Sequence, residues 1–423
     1  MTTVGNRELL KALFMAAVEA ADPEKAIAKY LPEKPKGRTV VIGAGKAASR
    51  MAAAFENLWE GSLSGVVVDR HGPIANPQKI SVLQASHPVP DASGLRASDA
   101  LFDAVTGLTE DDLVVALISG GGSSLLPSPM PPLTIEDEIE LNRVLLRSGA
   151  PISAMNAIRK PISRIKGGRL GAAAYPAKVA TLVVSDVPGD DPALVASGPT
   201  VPGAQTLDDA LAAIAQHRIK LPRAVATYFA NDLQSSPSPE DPIFARNTVK
   251  VVASAALALE AAADKARSYG VDAVILSDSI EGEAREVAKV HGAIIREMVM
   301  RDRPFSKPAI LLSGGETTVS ISEGNVGRGG RNSEFLLSLA HEINGLGGVT
   351  ALAADTDGID GSEDNAGAFV DGSSVGRMRC VGLDTQDHLV RHDAWSAFNM
   401  IGDLFITGPT GTNINDFRAI LVM

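Results

Sequence analysis

Four segments of the chain combine side chains able to do chemistry with backbone able to approach a ligand. The first is VVIGAGKAASRM, residues 40–51. Gly43 and Gly45 stand between an apolar run and a helical pattern, where free N–H groups and the positive end of a helix attract an anion. Lys46 adds a charge that can neutralise a phosphoryl or carboxylate group. The spacing Gly43-x-Gly45-x-x-Ala48 also fits a dinucleotide fingerprint, with Asp69 placed to bind a ribose. A P-loop does not fit, because Val40 stands where its first Gly belongs and Ala47 where Ser or Thr should follow the lysine. The plain alternative is a tight strand-to-helix turn with a solvated lysine.

The second segment is Ser119-Gly120-Gly121-Gly122-Ser123-Ser124. It offers backbone donors and hydroxyls without bulk, which suits phosphate or carboxylate. It is not a nucleophile elbow, since Leu125 takes the last glycine position of G-x-S-x-G. The third, SDVPGDDPALVASGPT, places Asp186, Asp190 and Asp191 just past a strand-like run. Asp186 and Asp190 could hold Mg²⁺, or one could accept a hydroxyl proton; acidic turn chemistry is the alternative.

The fourth lies in the second half. Ser313-Gly314-Gly315-Glu316-Thr317 repeats the plan of an apolar strand followed by a Ser-Gly-Gly loop. Arg328 and Arg331, among glycines, read as a mobile basic loop, and arginine's planar fork suits phosphate or carboxylate. DTDGIDG, residues 355–361, is mis-spaced for a calcium loop but leaves Asp355 as a candidate metal ligand. His87, within HPVPD, reads as structural.

Elements of alternating type must position these groups. Residues 9–21 have helical spacing, followed by strand-like 39–42, a helix over 47–59, and short strands at 66–68 and 81–85. A helix over 94–105, strand 113–118, a capping-box start at Thr134 and Asp137, and strand 179–184 continue the pattern. After 240 come strand 249–253, a helix to 268, strand 273–276, a helix over 283–300, strands 309–312 and 317–321, and strand 349–354. Apolar strands alternating with amphipathic helices predict an α/β fold, with a mostly parallel, doubly wound sheet covered on both faces in the N-terminal domain. The Ser/Pro-rich stretch 235–242 reads as a linker, dividing the chain into domains 1–240 and 241–423, with residues 403–423 free to pack elsewhere.

Composition narrows the function. A chain of 423 residues exceeds what one core usually serves. A formal net charge of -11 disfavours nucleic acid or an anionic membrane as partner, while leaving room for a locally basic cleft. No uncharged apolar run reaches the length of a membrane span, and no secretory signal opens the chain. The single cysteine, Cys380, expected as a small buried hydrophobe, fits a reducing, cytoplasmic setting.

The segments VVIGAGKAA, ASHPVPDASG, LISGGGSSLL, NAIRKPISRIKGGRL, VVSDVPGDDPALVASGPT, LLSGGETTV, GRGGRNSEF, AADTDGIDG and ITGPTGTNIND, in that order, resemble the class II glycerate 2-kinases. Their C-terminal half is called the MOFRL domain. The resemblance implies a Rossmann-like N-terminal domain, a MOFRL-type α/β domain and an active site in the cleft between them. It implies ATP, Mg²⁺ and glycerate as ligands, and it carries the family's catalytic lysine and arginine onto Lys46 and Arg331. A homodimer is one assembly compatible with it. The runner-up reading is an NAD(P)H-dependent hydroxypyruvate reductase, built on the Gly43–Ala48 spacing. A non-catalytic sensor of sugar acids or nucleotides comes third.

Overall fold

The computed structural model describes residues 5–231, 235–321 and 327–423, without the side chains of Ile152 and Pro188. The chain forms two compact units, Pro23–Val252 and a second made of the residues up to Asp22 together with Ala253–Met423. The division at 240/241 expected from the Ser/Pro-rich stretch is therefore not the one observed. That stretch is tied into the first unit, where Arg169 donates to the Ser236 hydroxyl (3.0 Å) and the Ser235 carbonyl (3.3 Å).

The first unit is built on a six-stranded sheet, β1 (Thr39–Ala44), β2 (Ser64–Arg70), β3 (Ile80–Ala85), β4 (Leu113–Ser119), β5 (Lys178–Val184) and β6 (Thr248–Ala253), in the order β3-β2-β1-β4-β5-β6. Strands β1 to β5 pair in parallel. Every residue of β1 and β4 is buried, as expected when helices cover both faces. Helix Ala92–Val105 packs Ala97, Leu101 and Val105 against one face of the sheet. A separate helical cluster, centred on Leu141, Leu145, Ile158 and Tyr228, forms a satellite core. This strand order is the doubly wound one, whose direction of winding reverses between β1 and β4.

The second unit holds the sheet β11-β10-β9-β12-β8-β7, from β7 (Asp272–Glu283), β8 (Ala309–Thr318), β9 (Val349–Asp355), β10 (Gly367–Asp371), β11 (Leu404–Phe405) and β12 (Asp416–Val422). This sheet is mixed. Only β7 and β8 run parallel, while β8–β12, β12–β9, β9–β10 and β10–β11 are antiparallel. Helices make the strands uniformly apolar whatever their direction; the connections alone set the direction. Residues 403–423 belong to this sheet too: β11 is its edge strand, and β12 lies between β8 and β9, buried along its whole length. Helix Asn6–Ala20 joins this unit, with Phe14 edge-on to Phe405 and Phe417. Cys380 is exposed rather than buried.

Candidate active site

In open α/β sheets ligands bind outside the carboxyl ends of the strands, at the point where the winding reverses. In the first unit that point is held by the ends of β1 and β4, which carry Lys46 and the loop of Gly120 to Gly122. The two turns are bonded together: the Lys46 amide donates to the Gly120 carbonyl (2.8 Å), and the Ala47 amide to the Ser119 hydroxyl (3.1 Å). Gly45 has φ +136°, and a Cβ there would overlap Ser119, so only glycine lets the turns meet. Ser119 is buried and serves as a brace of the lysine turn.

Gly121 shows what surrounds the lysine. It is left-handed (φ +81°), and a Cβ would touch both the Lys46 stem (2.9 Å) and the His87 ring (3.1 Å). His87, expected to be structural, thus lies beside the loop. Burial, followed by the charges of Lys46 and Arg70, lowers its pKa to about 4, so the ring is neutral at physiological pH. A Cβ on Gly120 would overlap the carboxylate of Asp186, which is half-buried past the end of β5. Lys46, His87, the Gly120–Gly122 backbone and Asp186 therefore surround one loop. Asp190 is half-buried at φ +55°, and Asp191 is exposed and accepts from the Ala193 amide (2.9 Å).

Other residues do structural work that the sequence did not disclose. The Asp69 carboxylate accepts from the amides of Ser49 (3.0 Å) and Arg70 (2.7 Å), so the acid expected to bind a ribose instead ties β2 to the helix after Lys46. The Ser124 hydroxyl donates to the Gly121 carbonyl (3.1 Å). Buried Lys166 donates to the Leu126 carbonyl (3.0 Å) and pairs with Glu138 (2.7 Å), anchoring the end of the glycine loop.

The second unit gathers the remaining expected residues around Arg331, the first residue of helix Arg331–Glu342. Its guanidinium donates to Asp416 (2.6 Å), Glu316 (2.7 Å) and Asp355 (2.8 Å). Burial opposes its charge, but the three carboxylates outweigh burial and raise its pKa further. Burial likewise pushes the Asp355 carboxyl up, against the pull of Arg331, with Asp357 and Asp416 adding to the rise. Asp355 spends one oxygen on Arg331 and the other on the Asp357 amide (3.1 Å). The expected Ser-Gly-Gly loop is absent: Gly314 and Gly315 lie inside β8, paired with Phe417 and Asp416 of β12. Both donors of Thr317 go to Asp416 (3.1 Å each). Arg328 is not on a free basic loop. It pairs with Glu363, stacks on Trp395, and its amide donates to Asp393 (3.0 Å). The DTDGIDG run ends as a helix cap, with Asp360 accepting from the amides of Asn332 (2.9 Å) and Ser333 (2.8 Å).

Among the described residues no three His, Cys, Asp or Glu side chains gather into a metal-binding group. Nor, among the described residues, is any helix long and apolar enough to cross a membrane.

A doubly wound unit with a lysine at its reversal point, together with a unit organised around a half-buried arginine, defines a class of two-unit α/β proteins. Residues 9–230 match the family described as a domain of unknown function (DUF4147), and residues 309–416 match the MOFRL family. A chain from Agrobacterium vitis, named provisionally as a hydroxypyruvate reductase, is 50% identical over 99% of this chain and 95% of its own length. D-glycerate 2-kinase of Thermotoga maritima is 38% identical over 96% of both chains. The crystal structure of a Thermotoga maritima glycerate kinase superposes with a TM-score of 0.88 at 35% identity, covering 99% of each chain. The chain belongs to the glycerate 2-kinase family that carries the MOFRL domain.

Proposed function

We propose that this chain is a glycerate 2-kinase, moving the γ-phosphoryl group of ATP to the 2-hydroxyl of glycerate. The observation that carries the reading is Lys46 at the winding reversal, flanked by neutral His87 and the Gly120–Gly122 backbone. Phosphoryl transfer asks for positioning and charge neutralisation rather than covalent chemistry, and this arrangement supplies both. Lys46 neutralises the transferring group or the glycerate carboxylate. Backbone amides of the glycine loop orient it, and the N–H of neutral His87 adds a donor without a second positive charge. Asp186 orients the attacking hydroxyl and takes its proton.

Mg²⁺ usually keeps several waters and needs only one or two carboxylates beside the nucleotide phosphates. The hard oxygens of Asp186 and Asp190, past the end of β5, suit it. Held there, Mg²⁺ would supply neutralisation of the charge on the nucleotide phosphates. Asp355, spent on Arg331 and Asp357, is the less suitable ligand. Three of the five N–H donors of Arg331 are engaged by carboxylates, which leaves two for a ligand oxygen, and Glu316 is the most exposed of its partners. We retain Arg331 as the second catalytic cation.

A reductase reading gains nothing from Asp69, whose carboxylate is occupied by backbone amides. Release of ADP from Mg-ATP on addition of glycerate, followed with a coupling enzyme, tests the kinase reading. Free, exposed Cys380 accords with a cytoplasmic location.

A further inference from the structure

Ser123 sits in the glycine loop with its hydroxyl 2.7 Å from the hydroxyl of Ser197, which either atom could donate. The neighbours decide the direction. Ser197 is fully buried, and its hydroxyl lies 2.9 Å from Oδ1 of Asn156, itself 1% exposed. The orientation of the Asn156 amide is fixed, because its Nδ2 donates to the Leu194 carbonyl (3.2 Å); turning it over would set oxygen against oxygen. Oδ1 is then a pure acceptor, and the one proton of Ser197 must go to it. That leaves Ser197 as acceptor and Ser123 as donor between the two hydroxyls. With its proton committed, Ser123 keeps only lone pairs for anything bound in the loop.

The segment that enforces this is held in an uncommon shape. Ala196 (φ +52°), Ser197 (φ +60°) and Gly198 (φ +60°) are consecutive left-handed residues. Non-glycine residues take that conformation at a cost and persist there only when their surroundings over-determine it. Asn156 does so from both sides, bonding the Leu194 carbonyl and the Ser197 hydroxyl.

We infer that Ser123, locked as an acceptor by Ser197 and Asn156, reads a hydroxyl of the substrate rather than its phosphate or carboxylate. The inference rests on the glycerate kinase reading. Phosphate and carboxylate oxygens are themselves acceptors and gain nothing from a lone pair. The 2-hydroxyl loses its proton on attack, which a serine oxygen is too weak a base to hold. The 3-hydroxyl of glycerate is the donor that remains. Ser123 is thus a specificity-determining contact, and Asn156 and Ser197 are positioning residues.

The test compares the KM for glycerate with the inhibition constant of lactate, which lacks the 3-hydroxyl, competing against it. In Ser123→Ala the glycerate KM rises about tenfold, the size of one neutral hydrogen bond, while the lactate constant stays within about twofold. Ser123→Thr, which keeps a hydroxyl, restores the glycerate KM. Ser197→Ala frees the Ser123 proton, so that Ser123 can also donate to a carboxylate; the preference for glycerate over lactate falls while the melting temperature shows the fold retained. An equal change for both acids in Ser123→Ala, or no change for either, overturns the inference. Absence of glycerate-dependent ADP release in the wild-type protein would instead overturn the kinase reading beneath it.

Discussion

Lys46 is held by backbone on both sides and by Ser119 beneath its turn, so replacing its side chain disturbs the ammonium and little else. Lys46→Ala is expected to lower kcat by about 10²–10³-fold, the usual loss for one preorganised electrostatic group, with an unchanged circular dichroism spectrum. Steady-state ADP release checks it, and near-normal turnover would remove Lys46 from the site. A second expectation concerns His291, which is buried, donates from Nδ1 to the Val287 carbonyl (2.8 Å) and accepts at Nε2 from Ser313 (3.1 Å). Burial lowers its pKa from 6.5 to about 4. The folded state therefore keeps it neutral while the unfolded chain protonates it. Its contribution is complete above pH 6.5 and is lost as pH falls towards 4, amounting to roughly 3 kcal/mol. Denaturant titrations across that range should show a shallower loss for His291→Gln than for the wild type; parallel curves would contradict the assignment. At this scale the sequence marked Lys46 because two glycines lead into it and Asp186 because it stands in a carboxylate cluster past a strand end, but not His87, whose place beside Gly121 depends on a neighbouring strand. Nor could it show that Asp69, Thr317 and Arg328 are already occupied, since Ser49, Asp416 and Glu363, which engage them, stand 20 to 99 residues away.

The helix Arg331–Glu342 sets the position of its arginine through its first turn. Asp360 caps that turn with two buried bonds, so Asp360→Ala strands the amides of Asn332 and Ser333. A cost of about 2 kcal/mol is expected from chemical denaturation, together with reduced turnover as Arg331 loses its fixed start. Full activity at lowered stability would separate the cap from the arginine. Strand and helix positions in the first unit were legible from apolar runs and from caps such as Thr134 with Asp137, whose box is present. The Ser-Gly-Gly-Glu segment misled because glycine and small polar residues suggest a loop. Here they run on as β8 between β7 and β12, where close strand packing leaves no room for larger side chains.

Over the whole molecule, the chain closes its second unit with both of its ends. Helix Asn6–Ala20 buries Leu9, Leu10, Leu13, Phe14 and Ala17, and β12 runs through the middle of the sheet. Neither placement follows from periodicity, which reports a buried face without naming the sheet that buries it. Phe14→Ala should cost about 3–5 kcal/mol in the unfolding of this unit, and leave Lys46 and its neighbours in the first unit intact. Limited proteolysis would show cleavage within residues 253–423 ahead of 23–252; simultaneous loss of both would contradict the division. The measurement that bears most directly on the central claim is a paired assay of the purified protein. Glycerate with Mg-ATP is predicted to release ADP, and hydroxypyruvate is predicted to leave NADH and NADPH absorbance unchanged. No ADP release, with rapid NADH or NADPH oxidation, would contradict it.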